Sequence, residues 1–307
     1  DNSGVWQAII DSTENNGAVI NLPNGRINIL TPIDYGVSGI DRISTRGGNG
    51  TDGTIVFTTA SITQLVRLPT STGNTNNVAG GEFIAIDFNA QENADYCIKG
   101  YGNHMLFRDC RFRKAVIAGT DVSFGYDNMW DHCYWRDNLQ DGEIMDQGQN
   151  NQNTHIGCKY FDNGRFGVFA KSSLALSYTN CLFEQNSGAA IFAFGLDGIH
   201  LDNCYFDRNG MASLGGGHTF STPSQTVYAD IILNGSSSTT TMSVGTPCKG
   251  VTITSPFVSG SAADAHTHVY AISSEGLTVN NATLNDGDIG DLVTTYGSTT
   301  TSSQYSR

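Results

Sequence analysis

The stretch NTHIGCKYFDN, residues 153–163, holds one instance of the pattern that decides this fold. Its cysteine is the third of five that recur at nearly even steps. Cys110, Cys133, Cys158, Cys181 and Cys204 lie 23, 25, 23 and 23 residues apart. Each sits in the same frame: MLFRDCRF (105–112), NMWDHCYW (128–135), LSYTNCLF (176–183) and IHLDNCYF (199–206) repeat it. A period of this length marks a repeat architecture. Ile86, Pro256 and Ala282 fill the cysteine slot elsewhere, and Pro256 comes 52 residues after Cys204, so that turn carries an insertion.

One repeat resolves into three short strands. Apolar residues five and three positions before the cysteine, as in Met105/Phe107, Leu176/Tyr178 and Ile199/Leu201, have the period of two that marks a strand. Asp109, Gly157, Asn180 and Asn203 then supply residue types that tolerate the left-handed conformation of a sharp bend. The cysteine opens a second strand, with an aromatic two positions on (Phe112, Trp135, Tyr160, Phe183, Phe206) and an asparagine five positions on (Asn138, Asn163, Asn186, Asn209). GEIMDQ (142–147), GVFAKS (167–172) and AAIFAFG (189–195) read as the third strand. Three strands and three bends in some 24 residues make one coil of a parallel β-helix, whose coils stack at roughly 4.8 Å.

In this frame the cysteines are an inward column of small apolar groups. Disulfides between stacked coils would need favourable geometry. With Cys97 and Cys248 the total is seven, and an odd number argues against a complete disulfide framework. No CxxC pair is present, so no zinc or other metal is expected, and no motif calls for a cofactor. A net charge of −13 disfavours nucleic acid as a partner, and no apolar run is long enough to insert in a bilayer.

The expected organisation is a single all-β right-handed parallel β-helix with a short N-terminal capping helix. Residues 1–20 form the cap and the start of the coil, 21–290 the β-helix, and 291–307 a Thr/Ser-rich tail, disordered or part of an intertwined oligomerisation region. The helix is expected within VWQAIIDSTENNG (5–17), with Val5, Trp6, Ile9 and Ile10 on its apolar face, covering the open end of the solenoid. GVSGIDRIST (36–45) and GTIVFTT (53–59) read as early coils. MASLGGGHTFSTPSQ (211–225) and NGSSSTTTMSVGTP (234–247) read as insertions that project from one face and shape a binding site.

The N-terminal helix, the strand–turn–strand VINLPNGRINI (19–29) and the asparagine–cysteine–aromatic coils resemble the pectate-lyase-like right-handed β-helix superfamily, and within it phage tailspike and preneck-appendage proteins. The likeness covers roughly residues 5–290. It implies a homotrimer on a virion tail, acting extracellularly, or a secreted protein if not viral. Its partner would be a bacterial surface polysaccharide: capsule, O-antigen or teichoic acid. Its function would be to bind and endo-hydrolyse that polymer as a depolymerase. A non-catalytic glycan-binding adhesin and a polysaccharide lyase are the alternatives. The calcium-binding Asp clusters and Arg signature of pectate lyases are not found here, so that activity is not implied.

Function belongs on outward positions. Aligning the third strands by core residue puts Cys97, Ile117, Ile144, Val168, Ile191 and Val269 inside, and Met145, Phe169 and Phe192 outside as an apolar strip. That strip reads as a subunit interface or a platform for sugar rings. Beside it, Glu143 is expected to point outward, with Asp146 at the strand end and Asp121 one coil earlier. Glycoside hydrolysis needs two carboxyls about 5–9.5 Å apart, a spacing that neighbouring coils supply. Glu143, Asp146 and Asp121 are therefore the catalytic candidates, and Met145, Phe169, Lys171 and Phe192 the substrate-binding ones, with Lys171 pairing with Asp146. His132, His155 and His200 read as bend or surface residues. Asp162/Arg165 and Asp207/Arg208 read as corner ion pairs.

Overall fold

The computed structural model describes residues 1–12, 17–35, 43–48, 53–69, 78–123, 125–145, 151–236, 238–259, 266–284, 291–296 and 300–304. The chain bends where left-handed residues stand. Asp109, His132, Gly157, Asn180 and Asn203, each immediately before a cysteine of the column, have φ of 54°, 53°, 60°, 54° and 50°. A second set, Asp137, Asp162, Gln185 and Arg208, precedes the asparagines. Short strands between these bends stack coil on coil. Among the described residues, sheet A carries eleven strands, from Ala18–Asn21 to Thr300–Gln304. Sheet B carries ten, from Gly25–Asn28 to Thr283–Leu284, and sheet C ten, from Ile33–Asp34 to Asp291–Thr295. The ladders are parallel, and the winding is right-handed, as parallel crossovers require.

The interior is a set of columns. Cys110, Cys133, Cys158, Cys181 and Cys204 line the A–B bend, and each thiol donates to a carbonyl one coil earlier: Phe83, Phe107, Trp130, His155 and Tyr178, at 3.2–3.5 Å. All seven cysteines are free and buried. Phe112, Trp135, Tyr160, Phe183 and Phe206 stack along sheet B with ring centroids 4.6–5.3 Å apart. At the B–C bend, Asn138 donates to Asn163, Asn163 to Asn186 and Asn186 to Asn209, at 2.8–2.9 Å. Buried amides that donate and accept along the axis leave few polar groups unsatisfied.

The cap helix α1 spans Ser3–Ser12 and ends before Gly17. Trp6 and Ile10 are buried over the first coil, while Val5 and Ile9 face outward at 68% and 43% exposure. Only half of the expected apolar face is therefore buried. The first insertion forms a 3-10 turn, Ala212–Leu214, and an antiparallel hairpin of His218–Ser221 and Ser224–Val227. Strands Asp291–Thr295 and Thr300–Gln304 continue sheets C and A, so the coil register extends into the segment read as a tail.

Candidate functional site

Sheet C carries the site, and its register decides which side chains reach solvent. The cross-strand pairs run Ile98↔Thr120, Thr120↔Glu143, Glu143↔Val168, Val168↔Ile191, Ile191↔Ile231 and Ile231↔Val269. This column points inward. The next column, Asp34, Arg67, Lys99, Asp121, Ile144, Phe169, Phe192, Ile232 and Tyr270, points outward.

From Val168 onward the expected alignment holds. In the three earlier coils it slips, and a slip of one residue turns a strand over. Glu143 is inside, 1% exposed, and Ile144 takes the outward place. Met145 is also inside, at 2%. At Thr120 and Glu143 the slip arises because polar residues occupy core positions with their partners built in, while in the coil before them Cys97 and Ile98 are both buried. Trp135 Nε1 donates to Thr120 Oγ1 at 2.8 Å, Tyr160 Oη donates to Glu143 Oε2 at 2.9 Å, and His155 Nε2 lies 3.1 Å from that oxygen. His155 is thus a core residue, stacked 4.4 Å from the Tyr178 ring, and not a surface one. Asp146 lies outside the described residues, and with it the expected pairing to Lys171, which is half-buried at the end of Phe166–Lys171.

Of the expected strip Phe169 and Phe192 face outward and Met145 does not, and the outward residues are covered. Phe169, Phe192, Ile232 and Tyr270 pack beneath Phe220 and Val227 of the hairpin and Met242 of the second insertion, and Phe192 is 0% exposed. It therefore presents no free platform for sugar rings. Arg165 closes the edge of this cluster. It holds Asp141 through both carboxylate oxygens, with Nε to Oδ1 at 2.8 Å, rather than pairing with Asp162. Burial pushes the Asp141 carboxyl above its ordinary value, against the pull of Arg165. The Asp207–Arg208 pair forms as expected, at 3.0 Å.

Asp121 lies elsewhere, in the wall of an open groove of about 610 Å³ across the first coils of sheet C. Gln64, Arg67, Asp95, Tyr96, Lys99 and Tyr101 line it with Asp121. Lys99 Nζ sits 3.0 Å from Asp121 Oδ2 and 3.9 Å from the centroid of the Tyr96 ring. Ser123 Oγ donates to Asp121 Oδ1. Burial alone would lower the Lys99 pKa; the Asp121 carboxylate and the Tyr96 hydroxyl outweigh it and hold the ammonium above its ordinary value. One coil back, Arg67 pairs with Asp34 at 3.4 Å. The groove is thus charge-balanced, with phenol rings and planar polar groups facing one channel. Lys99 and its neighbours escaped the sequence reading because that reading turned Ile98 outward; in DYCIKGYG, taking Cys97 and Ile98 as both internal would have exposed Lys99.

The coils, bends and parallel sheets define a right-handed β-helix. Residues 74–243 match the model of the family described as the right-handed β-helix region, and the chain belongs to that family. Among solved structures it is similar to ORF18 of Geobacillus virus E2, at 15% identity and TM-score 0.72, covering 99% of this chain and 58% of the viral one. The chain therefore spans little more than half the length of that protein. It is also similar to an alginate lyase from Paenibacillus (12% identity, TM-score 0.71, 97% of each chain). A third similar structure is PfbA, a surface adhesin of Streptococcus pneumoniae (10% identity, TM-score 0.67, 93% of this chain and 75% of that one). At these identities the likeness is one of fold. No curated protein sequence matches the chain.

Proposed function

We propose that the chain recognises a bacterial surface polysaccharide along the sheet C groove, as part of a homotrimeric, phage tailspike-like protein acting outside the cell. The observation that carries this reading is the open channel that brings Tyr96, Lys99, Asp121 and Gln64 together on adjacent coils. Phenol rings cover sugar faces while fixed amide, carboxylate and ammonium groups bond to hydroxyls. Lys99 and Arg67 are paired with carboxylates before any ligand arrives, which suits hydrogen bonding to sugar hydroxyls. The structural likeness to an alginate lyase supports a polysaccharide as ligand.

Hydrolysis is a second reading, favoured by the two carboxylates, Asp95 and Asp121, in one groove. Spacing weighs against it. Asp95 stands level with Ile117, four residues before Asp121. That offset is about 13 Å along the strand, beyond the roughly 6.5–9.5 Å of an inverting pair. Lys99, held protonated, is no base for a lyase. Recognition is the function that this geometry supports best.

The experiment is to present purified capsule, O-antigen and teichoic acid to the chain and measure binding, then assay the products. Binding without new reducing ends, and without the ultraviolet absorbance of an unsaturated sugar, is expected. Reducing ends alone would favour the hydrolase, and an absorbance gain the lyase. Failure to bind any of the three would overturn the proposal. Light scattering tests the trimer.

A further inference from the structure

The outer face of sheet B carries a second ladder, remote from the groove. Cross-strand pairing aligns Arg111, Tyr134, Lys159, Leu182, Tyr205 and Phe257 on six successive coils. None of the six is buried. At one coil per step the ladder is about 24 Å long. Its two halves differ. At one end Tyr134 stands between two cations, with Arg111 Cζ 5.8 Å and Lys159 Nζ 5.0 Å from its ring centroid. At the other, the Tyr205 and Phe257 rings stack 5.1 Å apart.

Charge separates these cations from their neighbours. Arg108 pairs with Asp131 at 2.9 Å, Arg113 with Asp87 at 2.7 Å and Arg136 with Asp137 at 3.0 Å. Arg111 and Lys159 have no carboxylate partner among the described residues, although the chain carries 29 Asp and Glu against 16 Lys and Arg. In so acidic a protein, two unpaired cations flanking an aromatic ring leave a local positive site facing solvent.

We propose that this face is an accessory binding surface for an anionic polysaccharide lying along the solenoid axis. Arg111 and Lys159 take its carboxylates, and Tyr134, Tyr205 and Phe257 take the faces of its rings. A guanidinium fork and an ammonium two coils apart, about 10 Å, with a ring between them suit carboxylates spaced along a polyanionic chain. The exposed rings do not merge into the continuous apolar, charge-depleted patch that a subunit contact buries; Arg113, Arg136 and Glu184 alternate with them on the same strands. A glycan is therefore favoured over a second copy of the chain.

Affinity electrophoresis of the intact chain in gels containing polygalacturonate, or its methyl ester, tests this. Retardation by the free acid, weakened by salt and absent with the ester, is expected. The Arg111→Ser/Lys159→Ser double variant should bind polygalacturonate roughly five- to tenfold more weakly, while Lys99→Ala in the groove keeps the ester-sensitive retardation. Three results would each overturn the proposal: no retardation of the native chain, equal retardation of the double variant, or a change of oligomeric state in that variant by light scattering. Arg111 is exposed and Lys159 partly so, and an unchanged melting temperature confirms that the fold is intact.

Discussion

The Tyr160 hydroxyl donates to the Glu143 carboxylate at 2.9 Å in the interior of the coil. Burial, and then the Glu143 charge, push the Tyr160 pKa well above its ordinary value, so the phenol remains a donor. His155 supplies a second contact to the same carboxylate. Removing one partner of a buried group leaves the other exposed to its full desolvation penalty, about 1–3 kcal/mol. Tyr160→Phe is therefore expected to lower stability by about that amount in urea unfolding while leaving glycan binding in the groove unchanged. A variant of native stability would show that Glu143 finds its partners elsewhere.

That pair also marks where the sequence stopped being legible. The spacing from Cys110 to Cys204 yields the coil length, and left-handed bends sit where Asp109, Gly157, Asn180 and Asn203 forecast them. Those features are local, and each recurs five times. The face of Gly142–Met145 is not local. It depends on whether a glutamate can be satisfied inside, and the answer lies in Tyr160 and His155, 17 and 12 residues away. Strict alternation that turns Ile144 inward puts Glu143 on the surface, and the same alternation begun at Cys97 turns Ile98 outward and hides Lys99. Coverage of Phe192 by Phe220 was equally out of reach, because nothing in the hairpin's sequence says which sheet it folds over.

Asp121 and Lys99 shape the groove together. Asp121→Asn weakens the hold on the ammonium and changes the channel's charge, so binding of the cognate polysaccharide is expected to fall roughly tenfold, the equivalent of about 1.4 kcal/mol. Lys99 is half-exposed and the pair is screened, so stability should change by less than about 1 kcal/mol. Titration calorimetry alongside a thermal melt checks both. Unaltered affinity would remove Asp121 from the site.

The thiol column should be inert in the folded chain. The thiolate is the reactive form. Burial pushes Cys97 to about 12 and Cys248 to about 11, and raises Cys133 and Cys181 within the column. At Cys158 burial is outweighed by the neighbouring Cys133 and Cys181 thiols, which lower the pKa to about 6, so there it is burial against the reagent, and not a shortage of thiolate, that protects. A thiol-specific reagent near neutral pH is expected to label none of the seven cysteines in the native state and all seven in denaturant. Rapid native labelling of one cysteine would place it at a point where the coil opens.

His218 gives the cover over the apolar strip a pH dependence. Its ring lies 5.1 Å from Phe166, 5.3 Å from Phe192 and 4.7 Å from Phe220, and its Nε2 meets the Thr239 carbonyl. Burial, with Arg165 adding to it, lowers its pKa below 6.5, although the Thr239 bond pulls the other way. Above pH 6.5 the imidazole is neutral in folded and unfolded chains alike, and its contribution is flat. As pH falls through 6.5 the unfolded chain takes up the proton first, so stability declines until the folded pKa is reached. The buried Asp141, whose carboxyl is raised, acts in the opposite direction at lower pH, because the folded chain takes up that proton before the unfolded one, and its contribution is common to both chains being compared. The loss on acidification is therefore expected to be larger in the native chain than in His218→Gln, which keeps a donor for Thr239 but does not titrate. Melting temperatures of the two chains across the range below pH 6.5 measure the difference, and parallel curves would exclude His218 as its source.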